Sequence, residues 1–241
     1  MLHDNPLDGQ ISSQESVEKM AKTLGFLPFF RNRIEGFSIE EHTPEELWFN
    51  DEKQGPWKWK GPIIANWELA YGKFFEKKAG FVSLEWLPDF MRLRRSEYPL
   101  ESLPNDARHI LDVLRTNESA LSNELKRLCG YSTARKRTSV KRNDPLNPIR
   151  NERNSADFDK LINLLQMGTW VCIADFEYKY TKKGEPYGWG VARYCTPEAM
   201  YADEIDFRNI MDKNPEEAYI RIARHLDHYL PDNLDNIRKL I

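Results

Sequence analysis

The stretch from Trp170 to Thr196, WVCIADFEYKYTKKGEPYGWGVARYCT, constrains the fold more than any other part of the chain. With Lys183 and Gly184 as a two-residue turn, Cys172 falls opposite Cys195, Phe176 opposite Val191, Tyr178 opposite Trp189 and Tyr180 opposite Tyr187. One face is then apolar and aromatic, while the other sets Asp175, Glu177 and Lys179 against Ala192, Gly190 and Gly188. A two-residue period that holds on both arms in a single register is the signature of a half-buried β-ribbon. The aromatic face is assigned to packing, and the tip, Lys182 and Lys183, remains as a candidate phosphate contact.

Three helical patterns lead up to this ribbon. Ala107, Ile110, Leu111 and Leu114 lie at i, i+3, i+4 and i+7; Leu121, Leu125 and Leu128 form a shorter helix that Ser119 caps and Gly130 ends. Phe158, Ile162 and Leu165, with Leu161 alongside, predict a third helix capped by Ser155 or Asn154. Three helices followed by a hairpin is the order of a winged helix, in which the third helix enters a major groove. The fold class expected is therefore α+β: a winged-helix module at 104–197 with a basic insertion at about 131–153, an aromatic-rich subdomain at 1–103 and a C-terminal helical segment at 198–241 packed on the rest.

Charge is distributed unevenly. From Lys126 to Arg153 nine basic residues face two acidic ones, a local +7 on a chain whose total is −3. A concentrated basic segment on an otherwise acidic protein is the electrostatic footprint of a nucleic-acid contact, although a solvated loop carries the same pattern. The residues expected to meet phosphates are Arg135, Lys136, Arg137, Lys141 and Arg142 in the insertion, Lys160 on the third helix, and Lys182 and Lys183 at the wing tip.

The first hundred residues have another texture. Ser12 or Ser13 is a natural N-cap, Ser12 with Glu15 makes a capping box before Val17, Met20, Ala21 and Leu24, and Gly25 stops that helix. From Phe26 to Tyr98, short aromatic runs broken by Gly and Pro suggest an irregular, β-rich region. It contains a hairpin of Tyr71 to Phe75 with Ala79 to Ser83, and a strand at Trp57-Lys58-Trp59-Lys60 with both Trp inward and both Lys toward solvent or phosphate. Its five Trp residues serve either as core or as base-stacking surfaces. The acidic run from Glu40 to Glu46 reads as a solvated helix start at Thr43-Pro44, and no catalyst is nominated from it. Beyond Pro197 come short helical pieces at Pro197 to Tyr201 and Asp203 to Met211. A helix led by Pro215 follows, with Tyr219, Ile222, Ala223 and Leu226 on one face, and a last helix carries Leu234, Ile237 and Leu240.

Several classes of function find no support. Three cysteines without C-x-x-C spacing describe neither a disulfide framework nor a zinc ribbon, so reduced thiols are expected, with Cys172 and Cys195 packed as small apolar groups. The five histidines do not cluster as metal ligands, and no cofactor or metal is expected. No phosphate-binding glycine loop, G-x-S-x-G or H-E-x-x-H occurs. No apolar run approaches the roughly 20 residues of a bilayer span, so no membrane partner is expected. The first residues, MLHDNPLDGQISS, lack a basic start followed by an apolar segment, which makes the cytoplasm the expected compartment.

The segments GFLPFF at 25–30, EGFSIEEHTPEELWF at 35–49, GPWKWKGPII at 55–64, AYGKFF at 70–75 and YGWGVARYCTPEA at 187–199 resemble the bacterial AlkZ-related proteins, which are distantly similar to the alkyl-DNA glycosylase AlkZ. The resemblance covers most of the chain. It implies a winged-helix fold, contact with DNA, a link to DNA repair and, as an alternative, excision of alkylated bases by a glycosylase-like enzyme. The glycosylase family carries a catalytic Gln-x-Gln or Gln-x-Asp. Here Gln10, Gln14, Gln54 and Gln166 are followed two residues on by Ser12, Ser16, Pro56 and Gly168, so no catalytic residue is carried over. A winged helix that binds only other proteins is the third reading, since fold alone does not fix function.

Overall fold

The computed structural model describes residues 5–48, 55–131, 155–181, 184 and 186–241, with the backbone alone at 186–189. Among them the first half runs α1 (Gln14–Leu24), β1 (Phe26–Pro28), α2 (Ile39–His42), α3 (Pro56–Ala65), β2 (Leu69–Phe75), β3 (Lys78–Ser83) and α4 (Leu87–Glu97). The second half continues α5 (Asn105–Asn117), β4 (Ser119–Leu121), α6 (Ser122–Leu128), α7 (Ser155–Met167), β5 (Cys172–Tyr180), β6 (Pro186–Cys195), α8 (Pro197–Met200), α9 (Pro215–Asp227) and α10 (Leu234–Leu240). The strands make two antiparallel three-stranded sheets, ordered β1-β3-β2 and β4-β6-β5. No helix among the described residues is long and apolar enough to cross a membrane.

Helix α1 keeps its expected apolar face, with Val17, Met20, Ala21 and Leu24 buried, and ends at Gly25 with φ 76°. Its cap is Ser13, one of the two candidates: Ser13 Oγ accepts from the Ser16 N–H, and Ser16 Oγ accepts in return from the Ser13 N–H at 3.0 Å. A hydroxyl at the third helical position does the work that Glu15 was expected to do. The hairpin of β2 and β3 forms where expected, with Phe75 opposite Lys78. Glu76 and Lys77 turn it with φ of 49° and 65°, the left-handed pair that a two-residue loop requires.

The segment read as a strand, Trp57 to Lys60, is the first turn of α3. Gly55 precedes it and Pro56 occupies the first helical position, where a missing N–H costs nothing. A Cβ at Gly55 would lie 1.8 Å from the Leu47 carbonyl oxygen, so only glycine allows this entry. The buried positions Pro56, Trp59, Ile63 and Ile64 follow the helical period, which overrides the local two-residue alternation.

In the second half, α5 buries Ala107, Ile110, Leu111 and Leu114 as expected. Ser119 does not cap a helix: Ser119–Leu121 is a strand on β6, α6 begins one residue later, and Leu128 stands 50% exposed. α7 buries Phe158, Ile162 and Leu165. The segment from Asp203 to Met211 forms turns rather than a helix, whereas α9 is as expected, with Ala218 in the face and Tyr219 at its border.

The ribbon forms, but not in one register. Cys172 pairs with Cys195 as expected, yet Phe176 faces Ala192 and Tyr180 faces Pro186. One extra residue in β5 between Ile173 and Asp175, and two in β6 between Tyr187 and Val191, shift the pairing. The one-residue bulge exchanges the faces of one strand relative to the other beyond it, while the two-residue insertion leaves them unchanged. Asp175 therefore lies across from Arg193, whose guanidinium pairs with Glu177, and Tyr180 is 64% exposed instead of packed. Cys172, Cys195 and Cys129 are buried free thiols, and Cys172 Sγ lies 3.4 Å from Cys195 Sγ with Met200 Sδ 3.6 Å from the latter.

One continuous apolar cluster draws on all three parts of the chain. Polar side chains bridge its parts. Gln166 of α7, fully buried, accepts from the Lys73 N–H at 3.0 Å and donates to the Ile162 carbonyl at 3.2 Å. Arg94 of α4 donates to the carbonyls of Phe74 and Met167, each at 2.9 Å. Arg95 donates to Thr169 O at 3.0 Å and to Glu198 at 2.6 Å while covering the Trp170 ring at 4.2 Å.

Candidate functional site

Strand β5 runs past α3 and β2, and the seam between them is lined with rings. Phe29, just after β1, lies 5.5 Å from Trp57 of α3, 5.7 Å from Trp48 and 6.3 Å from Tyr71 of β2, measured between ring centroids. Tyr71 in turn meets Phe176 of β5 edge-on at 6.0 Å. These separations and tilts are those in which aromatic quadrupoles attract. The indole Nε1 of Trp48 is buried in this layer without an acceptor among the described residues.

Lys60 is the ionisable group set into this seam. Because Trp57 and Lys60 are three residues apart on a helix, they share a face. The Lys60 ammonium sits 4.0 Å from the Phe176 centroid and 5.3 Å from that of Trp57. No carboxylate among the described residues pairs with it. Burial pushes its pKa down to about 8, since desolvation penalises the charged form and no anion compensates. Tyr71, beside it, has its phenol pushed up by burial and by the neighbouring Tyr178. The seam thus presents an amine that is uncharged in a larger share near neutral pH than that of an exposed lysine, flanked by π-surfaces. The strand reading of Trp57 to Lys60 hid this, because alternation sets Lys60 opposite the Trp side chains. The Gly55-Pro56 helix start was the signal that would have set Lys60 beside Trp57.

Of the eight cationic residues expected at phosphates, Lys160 alone falls within the described part. Arg135, Lys136, Arg137, Lys141, Arg142, Lys182 and Lys183 lie outside it. Lys160 is 79% exposed on α7 with Asp157 at 3.5 Å, and Asp159, also exposed, holds Lys126 at 2.9 Å. A shallow depression of about 460 Å³ at the start of α5 and α7 is lined by Asp106, Asp157 and Lys160. The exposed first turns of α7 therefore carry two carboxylates to one ammonium.

Other residues singled out in the sequence are occupied structurally. Glu40 accepts from the Arg31 N–H at 2.8 Å and Glu41 from the Gly36 N–H at 3.0 Å, so part of the acidic run ties down its own loop. His225 stacks on Trp86 at 4.4 Å and donates to the Leu24 carbonyl at 3.1 Å.

A mixed α+β protein with two small antiparallel sheets and an aromatic seam between them is the class that these features define. The chain belongs to the AlkZ-related family, whose model matches residues 11–241. No curated protein and no solved structure matches it.

Proposed function

We propose that the chain is a DNA-binding protein, linked to DNA repair, whose 104–197 segment is a winged-helix module. The observation that carries this reading is strand order. β4, between the first two helices of the module, pairs with β6 and leaves β5 at the edge, which is how a winged helix closes its sheet. Membership of the AlkZ-related family supports contact with DNA.

Electrostatics supports phosphate contacts by the basic segment and the wing tip within that reading. Asp157 and Asp159 offset Lys160 and Lys126 on α7, so attraction to the backbone falls to the basic segment around Lys136 to Arg142 and to the wing tip. A fluorescence-anisotropy titration of a duplex over a salt series tests this. Affinity is expected to fall steeply with salt and to depend little on sequence, and Lys141→Glu with Arg142→Glu is expected to weaken binding at least roughly tenfold and flatten the slope by about 0.9 per lost phosphate contact. Unchanged binding by the double variant removes the basic segment from the interface; no binding at low salt removes the whole reading. Asp157→Asn has the opposite expected effect, a gain of a few fold at low salt that vanishes at high salt, because it frees the Lys160 ammonium.

The family also supports a second reading, a glycosylase-like enzyme on alkylated bases. Its required outcome is abasic-site formation on an alkylated duplex above background.

A further inference from the structure

A lysine on a protein surface ordinarily extends into water or finds a carboxylate. Lys60 does neither. Its ammonium is held between rings contributed by α3 and by the edge strand β5, at the line where the second sheet meets the first. Tyr71, Trp48 and Phe29 extend the apolar surround behind it. If packing alone were the role, an apolar side chain of the same length would serve without desolvating a charge. What an amine adds in such a place is nucleophilicity toward carbonyl carbon.

We infer that Lys60 is the nucleophile of a DNA lyase centre that captures the ring-opened aldehyde of an abasic site. The inference rests on the DNA-binding reading and names the substrate class for the seam. DNA that has lost a base presents an aldehyde at C1′ in its open form, and the vacated position exposes the faces of the flanking bases, which aromatic side chains stack against.

The steps balance without an oxidant or reductant. The uncharged amine adds to C1′, and the carbinolamine takes up one proton from solvent and loses one water to give a protonated imine. That cation acidifies the C2′–H; its proton leaves to solvent, the electron pair forms the C2′–C3′ double bond, and the 3′ phosphate departs with the C3′–O bonding pair. Water then hydrolyses the C=N bond and returns the amine. Burial, which holds the Lys60 pKa at about 8, raises the uncharged share of the amine above that of an exposed lysine, to about half at pH 8.

The test uses the full chain with a duplex bearing one abasic site and with the same duplex intact, in the presence of sodium cyanoborohydride, which reduces the imine to a stable amine. A covalent protein–DNA product is expected with the abasic duplex only, peptide mapping is expected to place it on Lys60, and its initial rate is expected to rise between pH 7 and pH 9 around a midpoint of about 8. Lys60→Arg, which keeps the charge and the stem, is expected to lose the product at least about tenfold. Mapping of the parent adduct needs no variant, so it stands even if Lys60→Arg folds poorly. Absence of a trapped product, its attachment to another residue, or its full retention in Lys60→Arg overturns the inference. Anisotropy on the same two duplexes separates the layers: binding without trapping overturns the lyase alone, and failure to bind either duplex overturns the DNA-binding reading as well.

Discussion

Replacing Phe90 by Ala is expected to lower the unfolding free energy by about 3 to 5 kcal/mol, the range for deleting a buried aromatic ring. Phe90 lies fully buried on α4, edge-on to Phe26 at 5.6 Å and to Phe74 at 5.8 Å, and stacked on Phe75 at 6.2 Å. Its neighbours come from β1, from β2 and from its own helix, where the Arg94 guanidinium lies 5.7 Å from its centroid. Rings anchored on separate elements relax little into a void, which sets the cost toward the upper end. Urea denaturation checks this: the midpoint should drop with the slope unchanged. A loss under about 1 kcal/mol would mean that the cavity collapses and that the four rings do not form a fixed layer.

Arg94→Met should cost a comparable amount, about 3 to 5 kcal/mol, for a different reason. Arg94 is 4% exposed, and burial pushes the pKa of its guanidinium down while Glu97 partly offsets that. It donates to Phe74 O and Met167 O, two carbonyls on different elements that otherwise have no side-chain donor from α4. Methionine preserves the packing and removes the donors, and each buried acceptor left unsatisfied costs about 1 to 3 kcal/mol. Arg94→Lys is expected to restore little, because a point charge does not reach both carbonyls as a planar fork does. Glu97→Gln is the control, with an expected loss below about 1 kcal/mol, since Glu97 is 43% exposed and its pair is solvent-screened. Equal losses for the two variants would place the stabilisation in the ion pair rather than in the carbonyls.

Much of the helical content was legible because its signals are local. α1, α5, α7 and α9 were read from apolar spacing and punctuation, and their buried residues lie where that spacing put them. Strands were legible only in part. The β2–β3 hairpin has a two-residue turn that keeps one register, whereas β5 and β6 contain three extra residues whose positions depend on cross-strand packing. Gly190 illustrates this: a Cβ there would lie 2.9 Å from the Tyr178 ring and 3.0 Å from Phe176 Cβ, a contact that the sequence does not announce. β4 was missed because three residues, Ser119–Leu121, carry no period, and their pairing with β6 is decided some seventy positions away. The aromatic seam was half legible. Trp57 reads as a core or stacking residue, Phe176 as a packing one and Tyr71 only as the start of a strand, and only the tertiary approach of β5 to α3 brings Lys60 under Phe176.

The irregular pairing in β5 has a consequence for solubility. β5 is an outer strand of its sheet, and an outer strand with a free row of N–H and C=O groups is a template for strand addition by another chain. Its extra residue between Ile173 and Asp175 interrupts that row, and Asp175, Glu177 and Lys179 stand exposed along it. A neighbouring chain that docked there would meet charged side chains on a discontinuous ladder. The same bulge that shifts the faces of the ribbon thereby protects the molecule from polymerising through it.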